Sequence, residues 1–86
     1  MQKCIAIQAN SIDKINVETD TSLLLALEAQ KRLYQIYWYE TKDLSLANGK
    51  IYAKAKKVVF FENKKKYFKV LKDVNLDLSK MKYVLI

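Results

Sequence analysis

Apolar residues along this chain fall in short clusters whose spacing changes from strand-like to helix-like and back. Lys3 to Gln8 reads Lys-Cys-Ile-Ala-Ile-Gln, a near-continuous apolar run of the kind a strand shows when both its faces are covered, and it predicts a central strand. Ala9 to Asp20 is polar, with Ile12, Ile15 and Val17 as its anchors. That is long beside the roughly 2 to 6 residues usual for such connections, and long ordered loops often carry function. Thr21 to Leu33 is then dense in strong helix formers. Asp20 is placed to accept from the free amides of the first turn, and Lys31 and Arg32 complement the negative end of the helix. Leu23, Leu24, Ala26 and Leu27 with Leu33 give a broad apolar face, while Glu28, Lys31 and Arg32 lie elsewhere. The pattern predicts a helix lying on a sheet.

Tyr34 to Tyr39 is a β-prone aromatic run, so strand, helix and strand form one βαβ unit with a right-handed crossover. Between Lys42 and Lys57, Asn48-Gly49 separates Leu44-Ser45-Leu46 from the alternating run Ile51 to Lys56, a strong hairpin signal. The hairpin is expected at a sheet edge, where its lysines discourage unwanted pairing. Val58 to Phe61 and Tyr67 to Leu71 fit a further strand pair around Lys64-Lys65-Lys66, and a short helix across 63–72 fits the same residues. Lys82 to Ile86 reads as another buried strand. The fold class expected is α/β: an open, Rossmann-like parallel sheet with an edge β-hairpin, as one domain over residues 1–86.

Composition narrows the chemistry. The chain has 86 residues, no histidine, one cysteine (Cys4), one glycine (Gly49) and no proline. Bases built on imidazole are absent, as is the commonest metal ligand. Neither an intrachain disulfide nor a structural zinc site has the residues it needs, and a single glycine excludes the phosphate-binding glycine loops. Cys4, inside a predicted buried strand, reads as an inert core residue. The longest uninterrupted apolar run, Leu23 to Leu27, is five residues, far below the roughly 18 to 20 of a membrane-spanning helix. Met1 to Gln8 lacks the pattern of a secretory signal, so a soluble cytoplasmic protein is expected.

The net charge of +7 is unevenly spread. Residues 1–49 hold five basic against six acidic residues, whereas residues 50–86 hold eleven lysines against Glu62, Asp73 and Asp77. Such asymmetry can mark a nucleic-acid surface, with Phe60, Phe61, Tyr67 and Phe68 as stacking platforms. A solvated turn flanked by strands that pack into a core explains the same residues without a nucleic acid.

Several segments carry a family resemblance. Asp20-Thr21-Ser22, the helix end Leu27 to Arg32, Tyr34 to Glu40, Asp43-Leu44 and Asn48 to Ala53 together resemble the N-terminal domain of prokaryotic glutathione synthetase. The resemblance spans nearly the whole chain and is most specific from Asp20 to Ala53. It implies an open α/β, pre-ATP-grasp domain ahead of an ATP-grasp module, in an enzyme that joins γ-glutamylcysteine to glycine with ATP and magnesium through an acyl-phosphate. ATP and Mg2+ would then be bound outside these residues, the chain alone would be inactive, and a homo-oligomer is expected. Ending on an apolar strand, the chain is expected to be a fragment, with the family's Arg-x-Asp-Pro-Pro segment falling just beyond Ile86. Two departures stand out: Gln8-Ala9-Asn10 where the family commonly has Asp-Pro after strand one, and Leu33 where the helix usually ends in glycine. The second is expected to force a different helix C-cap.

The substrate-binding candidates are Asp20, Thr21 and Ser22, which match the family's acidic-then-hydroxyl pattern, with Asn16 from the preceding loop. A helix N-terminus there would orient an anionic peptide, although capping alone also accounts for these residue types. No catalytic or metal-binding residue is assigned. Two other readings are a basic module gripping phosphates with Lys54, Lys56, Lys57, Lys64, Lys65, Lys66, Lys69 and Lys72, and a dimerisation domain built on the hairpin from Leu44 to Lys56.

Overall fold

A computed structural model describes residues 3–16, 18, 20–61, 65–81 and 83–85. The elements in chain order are β1 (Lys3–Gln8), α1 (Thr21–Lys31), β2 (Tyr34–Tyr39), β3 (Leu44–Ala47), β4 (Lys50–Phe60), β5 (Phe68–Asp77) and β6 (Tyr83–Leu85). Single 3₁₀ turns occupy Ile12–Lys14, Thr41–Asp43 and Leu78–Lys80.

The sheet is mixed, where the sequence suggested a parallel one. β1 pairs in parallel with β2 (Lys3 opposite Tyr34 through Gln8 opposite Tyr39) and with β6 (Ile5 opposite Tyr83). All other pairings are antiparallel, and they converge on β4. One edge of β4 pairs first with β3 (Ala47 opposite Lys50) and then with β2 (Ile36 opposite Val58), while its other edge carries β5. The Asn-Gly hairpin reaches the sheet edge through β3, as expected, but its other strand, β4, lies inside the sheet. The turn itself is as expected. Asn48 and Gly49 have φ of 52° and 75°, the two positive values of a type I′ turn, whose twist matches that of the strands. Residues 68–72 are strand rather than helix. Of the lysine turn, Lys64 lies outside the described residues, and Lys65 and Lys66 are exposed. Val17, Lys82 and Ile86, part of the loop and terminal-strand expectations, also lie outside them.

The two sheet faces bury different things. On one, Ile5, Ile7, Ile36, Trp38, Val58 and Phe60 pack with Leu23 and Ala26 of α1 and with Ile12. Burying each leucine- or isoleucine-sized side chain there contributes roughly 1.5 to 3 kcal/mol. On the other, Ala6, Tyr39, Ala53 and Ala55 are buried beneath Val74, Leu76, Leu78 and Met81. β5 serves both faces because its register shifts opposite Lys57 and Val58, leaving Leu71 as an extra residue. The bulge turns Phe68 toward the α1 side and Val74 and Leu76 toward the other.

The apolar face of α1 is narrower than its leucines suggest. Leu23 and Ala26 are buried, but Leu24 and Leu33 are 56% and 84% exposed. The helix end also differs from expectation. Leu33 adopts φ 67°, and its N–H donates to the Gln30 carbonyl at 3.0 Å, so leucine occupies the left-handed position that glycine usually fills and the ordinary cap geometry is retained. At the far side, β6 is an edge strand among those described, with Tyr83 43% exposed, rather than a buried one. Cys4 is likewise only half-buried.

Gln30 makes a contact of another kind. Its amide nitrogen donates to the Phe60 carbonyl at 2.8 Å, and its amide oxygen accepts from the Phe60 N–H at 2.9 Å. The last β2–β4 pair is Ile36 opposite Val58, so among the described residues Phe60 has no strand neighbour on that edge, and a helix side chain supplies the missing peptide-like partner.

Candidate functional site

The parallel strands β1 and β2 end together, and their following segments part. Trp38, near the end of β2, donates from Nε1 to the Asn10 carbonyl at 2.9 Å. Tyr67, after the turn, donates from its hydroxyl to the Ile12 carbonyl at 2.6 Å. These two aromatic donors pin the start of the β1–α1 loop at separate points. Burial pushes the Tyr67 hydroxyl above its ordinary value, as does the nearby Asp13 charge, so it stays a protonated donor at neutral pH. On the other side, Gln8 Nε2 donates to Thr41 Oγ1 at 3.2 Å, while the Glu40 N–H donates to Asp43 Oδ2 at 3.0 Å in a capping box.

Between these walls is a cleft of about 380 Å³, outside the carboxyl ends of the parallel strands, where open α/β sheets collect ligands. Trp38, Lys56, Phe68 and Val70 line it from the sheet, with Ser11 to Asp13 and with Tyr39, Glu40, Lys42 and Asp43 completing it. Its charges have both signs. Asp13 is held below the usual carboxylate range chiefly by its hydrogen bond from Ser11, with Lys14 and Lys42 adding to the effect. Lys42 lies 3.9 Å from Glu40, and Lys56 lies 3.4 Å from Asp73. The lining combines the aromatic and apolar side chains of Trp38, Phe68 and Val70 with charged groups of both signs at Asp13, Glu40, Lys42, Asp43 and Lys56.

None of the substrate-binding candidates singled out in the sequence is in the lining of this cleft. Asp20 caps α1, its Oδ1 accepting from the Leu23 N–H at 3.0 Å. Thr21 and Ser22 follow in the first turn. Asn16 closes a local turn, its Oδ1 accepting from the Glu18 N–H at 3.0 Å and its carbonyl from the Asp20 N–H at 2.9 Å. Sequence reasoning missed Asp13, Trp38, Glu40 and Lys42 and named Lys56 only for a phosphate-gripping module; for Trp38, Glu40 and Lys42 the available signal was their position at or just after the carboxyl end of β2.

The lysines do not form one patch. Alternation from Ala53 and Ala55 puts Lys57 and the opposed Lys72 on one face, with Lys54 and Lys56 on the other. Among the described residues, no three or more Asp, Glu, Cys or His are grouped to hold a metal, and no helix is long and apolar enough to cross a membrane.

Comparison with known proteins agrees with the resemblance in the sequence. Residues 4–86 match the family model of the prokaryotic glutathione synthetase N-terminal domain. A glutathione synthetase of Buchnera aphidicola subsp. Schizaphis graminum is 37% identical over 81 residues, covering 94% of this chain and 25% of that protein. One from Mesorhizobium japonicum is 35% identical over 86 residues, covering 100% and 28% respectively. One from Agrobacterium fabrum is 34% identical over 79 residues, covering 92% and 25%. This chain thus spans about a quarter of the length of these curated relatives. It belongs to the family of prokaryotic glutathione synthetase N-terminal domains.

Proposed function

We propose that this chain is the N-terminal, pre-ATP-grasp domain of a cytoplasmic ATP-dependent ligase that joins γ-glutamylcysteine to glycine. In that enzyme it supplies one wall of the substrate cleft. The observation carrying the reading is the family match across residues 4–86, together with the quarter share of the relatives that the chain covers.

The α1 terminus formed by Asp20, Thr21 and Ser22, with Asn16 behind it, orients the anionic end of the peptide beside the cleft. The mixed charges of Asp13, Lys42 and Lys56 suit an α-amino-acid group. Catalysis needs more than these residues. The single glycine lies in the hairpin turn, and the described residues contain no acidic cluster placed for magnesium. They do not fit ATP or Mg2+, which are bound by the ATP-grasp module. The parallel core β2–β1–β6 is the Rossmann-like part of the fold, and the β4–β5 meander is its antiparallel extension. Leu46 and Ile51, cross-strand neighbours 75% and 51% exposed near the hairpin turn, support a subunit contact there in a homo-oligomer.

The test is ATP-dependent ligation by the full-length protein and by the chain alone. The full-length protein is expected to release ADP only when both γ-glutamylcysteine and glycine are present, and the 86 residues alone to release none. Asp20→Asn keeps the cap, since asparagine caps as well as aspartate, but removes the charge, so altered KM at unchanged melting temperature marks a ligand role. Ligation by the isolated chain, or full-length protein inert toward both substrates, refutes the proposal.

A further inference from the structure

Tyr67 belongs neither to the lining of the cleft nor to the two buried clusters. It stands just before β5, half-buried. Its backbone is fixed by the Phe61 N–H, which donates to its carbonyl at 2.8 Å, and its ring lies against Phe68 with centroids 5.0 Å apart. Phe68 is opposite Phe60, the residue that Gln30 of α1 holds by both backbone groups. Tyr67 is thus mounted on the corner of the sheet that is already tied to the last turn of the helix.

Its hydroxyl reaches from that corner to the segment leading into the helix. It donates to the Ile12 carbonyl, and the Ile15 N–H and the carboxylates of Asp13 and Asp20 act on the same oxygen. One group therefore stands among residues from the start of the segment and from its end, including the aspartate that caps α1. Hydrogen bonds inside the segment are short-range: Ser11 to Asp13, the Lys14 N–H to the Ser11 carbonyl at 3.0 Å, and the Asp20 N–H to the Asn16 carbonyl at 2.9 Å. Such turns shape the segment but do not orient it relative to the sheet. Ile12 and Ile15 hold it down by packing on the core, yet apolar burial has no direction. A hydrogen bond does, because it weakens steeply when bent. Trp38 supplies one at Asn10, and Tyr67 supplies one at Ile12, nearer to α1.

We propose that Tyr67 is a positioning residue for the peptide substrate: its hydroxyl fixes the orientation of residues 12–16, and with it the Asn16 and Asp20–Ser22 group that meets the anionic end of γ-glutamylcysteine. This rests on the reading of the chain as one domain of that ligase. Without the bond, the competent orientation becomes one of several, and apparent affinity falls in proportion to the time it is occupied. The chemical step, carried out by groups outside this chain, is unaffected.

The test uses the full-length protein with Tyr67→Phe, which keeps the ring against Phe68 and removes the donor. Hydrogen exchange is expected to quicken several-fold at the Lys14 and Asp20 amides and to stay unchanged at the Phe60 amide, which Gln30 holds. In steady-state ligation, KM for γ-glutamylcysteine should rise about 3- to 10-fold, the equivalent of one hydrogen bond, with kcat and the KM values for ATP and glycine unmoved. A second variant carries 3,5-difluorotyrosine in place of Tyr67, whose hydroxyl ionises well below that of tyrosine. It folds with the donor present at low pH, and its peptide KM, taken as a ratio to wild type, should climb as the hydroxyl ionises; this decides the matter if Tyr67→Phe does not fold. Unchanged exchange, an unchanged peptide KM, a fall in kcat alone, an equal rise in all three KM values, or a flat ratio across pH each overturn the proposal. Wild-type protein inert toward both substrates removes the ligase reading and the substrate role with it, and is told apart from failure of the loop contact because the exchange comparison needs no ligation.

Discussion

Replacing Leu33 by glycine is expected to stabilise the fold. Leu33 sits at φ 67°, where an L-residue costs roughly 1 to 2 kcal/mol because Cβ crowds the following carbonyl. Little offsets that cost, since the side chain is 84% exposed and removing it uncovers almost no apolar surface. Glycine removes the clash and keeps the N–H bond to the Gln30 carbonyl, but its freer unfolded chain takes back about 0.4 to 1 kcal/mol. The balance spans roughly 0 to 1.6 kcal/mol and centres on a gain of about 0.8 kcal/mol, or about 3 to 6 °C in Tm for a domain of this size. Urea titration followed by far-ultraviolet circular dichroism measures it as a higher midpoint at unchanged slope. Leu33→Asn should gain less, and Leu33→Val, which adds β-branching at positive φ, should lose stability. A glycine variant no more stable than the parent, or a valine variant equal to it, would refute the argument that the left-handed cap is strained.

Gln30→Ala leaves both the Phe60 N–H and its carbonyl without their partner and should cost about 2 to 3 kcal/mol, visible as faster hydrogen exchange at the Phe60 amide. Trp38→Phe keeps the packing against Phe60, whose ring centroid is 5.6 Å away, but loses the bond to Asn10. About 1 kcal/mol is expected, with faster proteolysis between residues 9 and 16. Asp77 is held below its ordinary value of 3.8, chiefly by the hydrogen bond from Ser79. With the folded value the lower one, its stabilising contribution is complete above the ordinary value and fades as pH falls through the folded one. Ser79→Ala should raise the Asp77 value in a carboxyl nuclear magnetic resonance titration and flatten the acid limb of the stability curve.

Local signals carried the first half of the chain and failed in the second. β1, α1, β2 and the Asn48-Gly49 turn each declare themselves within a few residues, through an apolar run, a capping aspartate, an aromatic run and a turn pair. β5 does not. Phe68, Val70, Val74 and Leu76 share one parity in the sequence yet serve opposite faces, because the Leu71 bulge reverses the alternation between them. Lys56 and Lys57 likewise look like the end of a strand but lie within β4, where one lines the cleft and the other joins the basic end of the opposite face. The cap at Asp20 was legible because it depends on its own neighbours. The cleft was not, because Asp13, Trp38, Lys56 and Val70 meet only after four separate segments are placed, and no spacing in the sequence encodes that meeting.

The position of β4 bears on synthesis. β2, β3 and β5 all hydrogen-bond to this one strand, and it is made after β1, α1 and β2. While the chain is emerging from the ribosome, the βαβ unit must therefore wait with one side of β2 bare, offering unpaired amides and carbonyls to any neighbouring nascent chain.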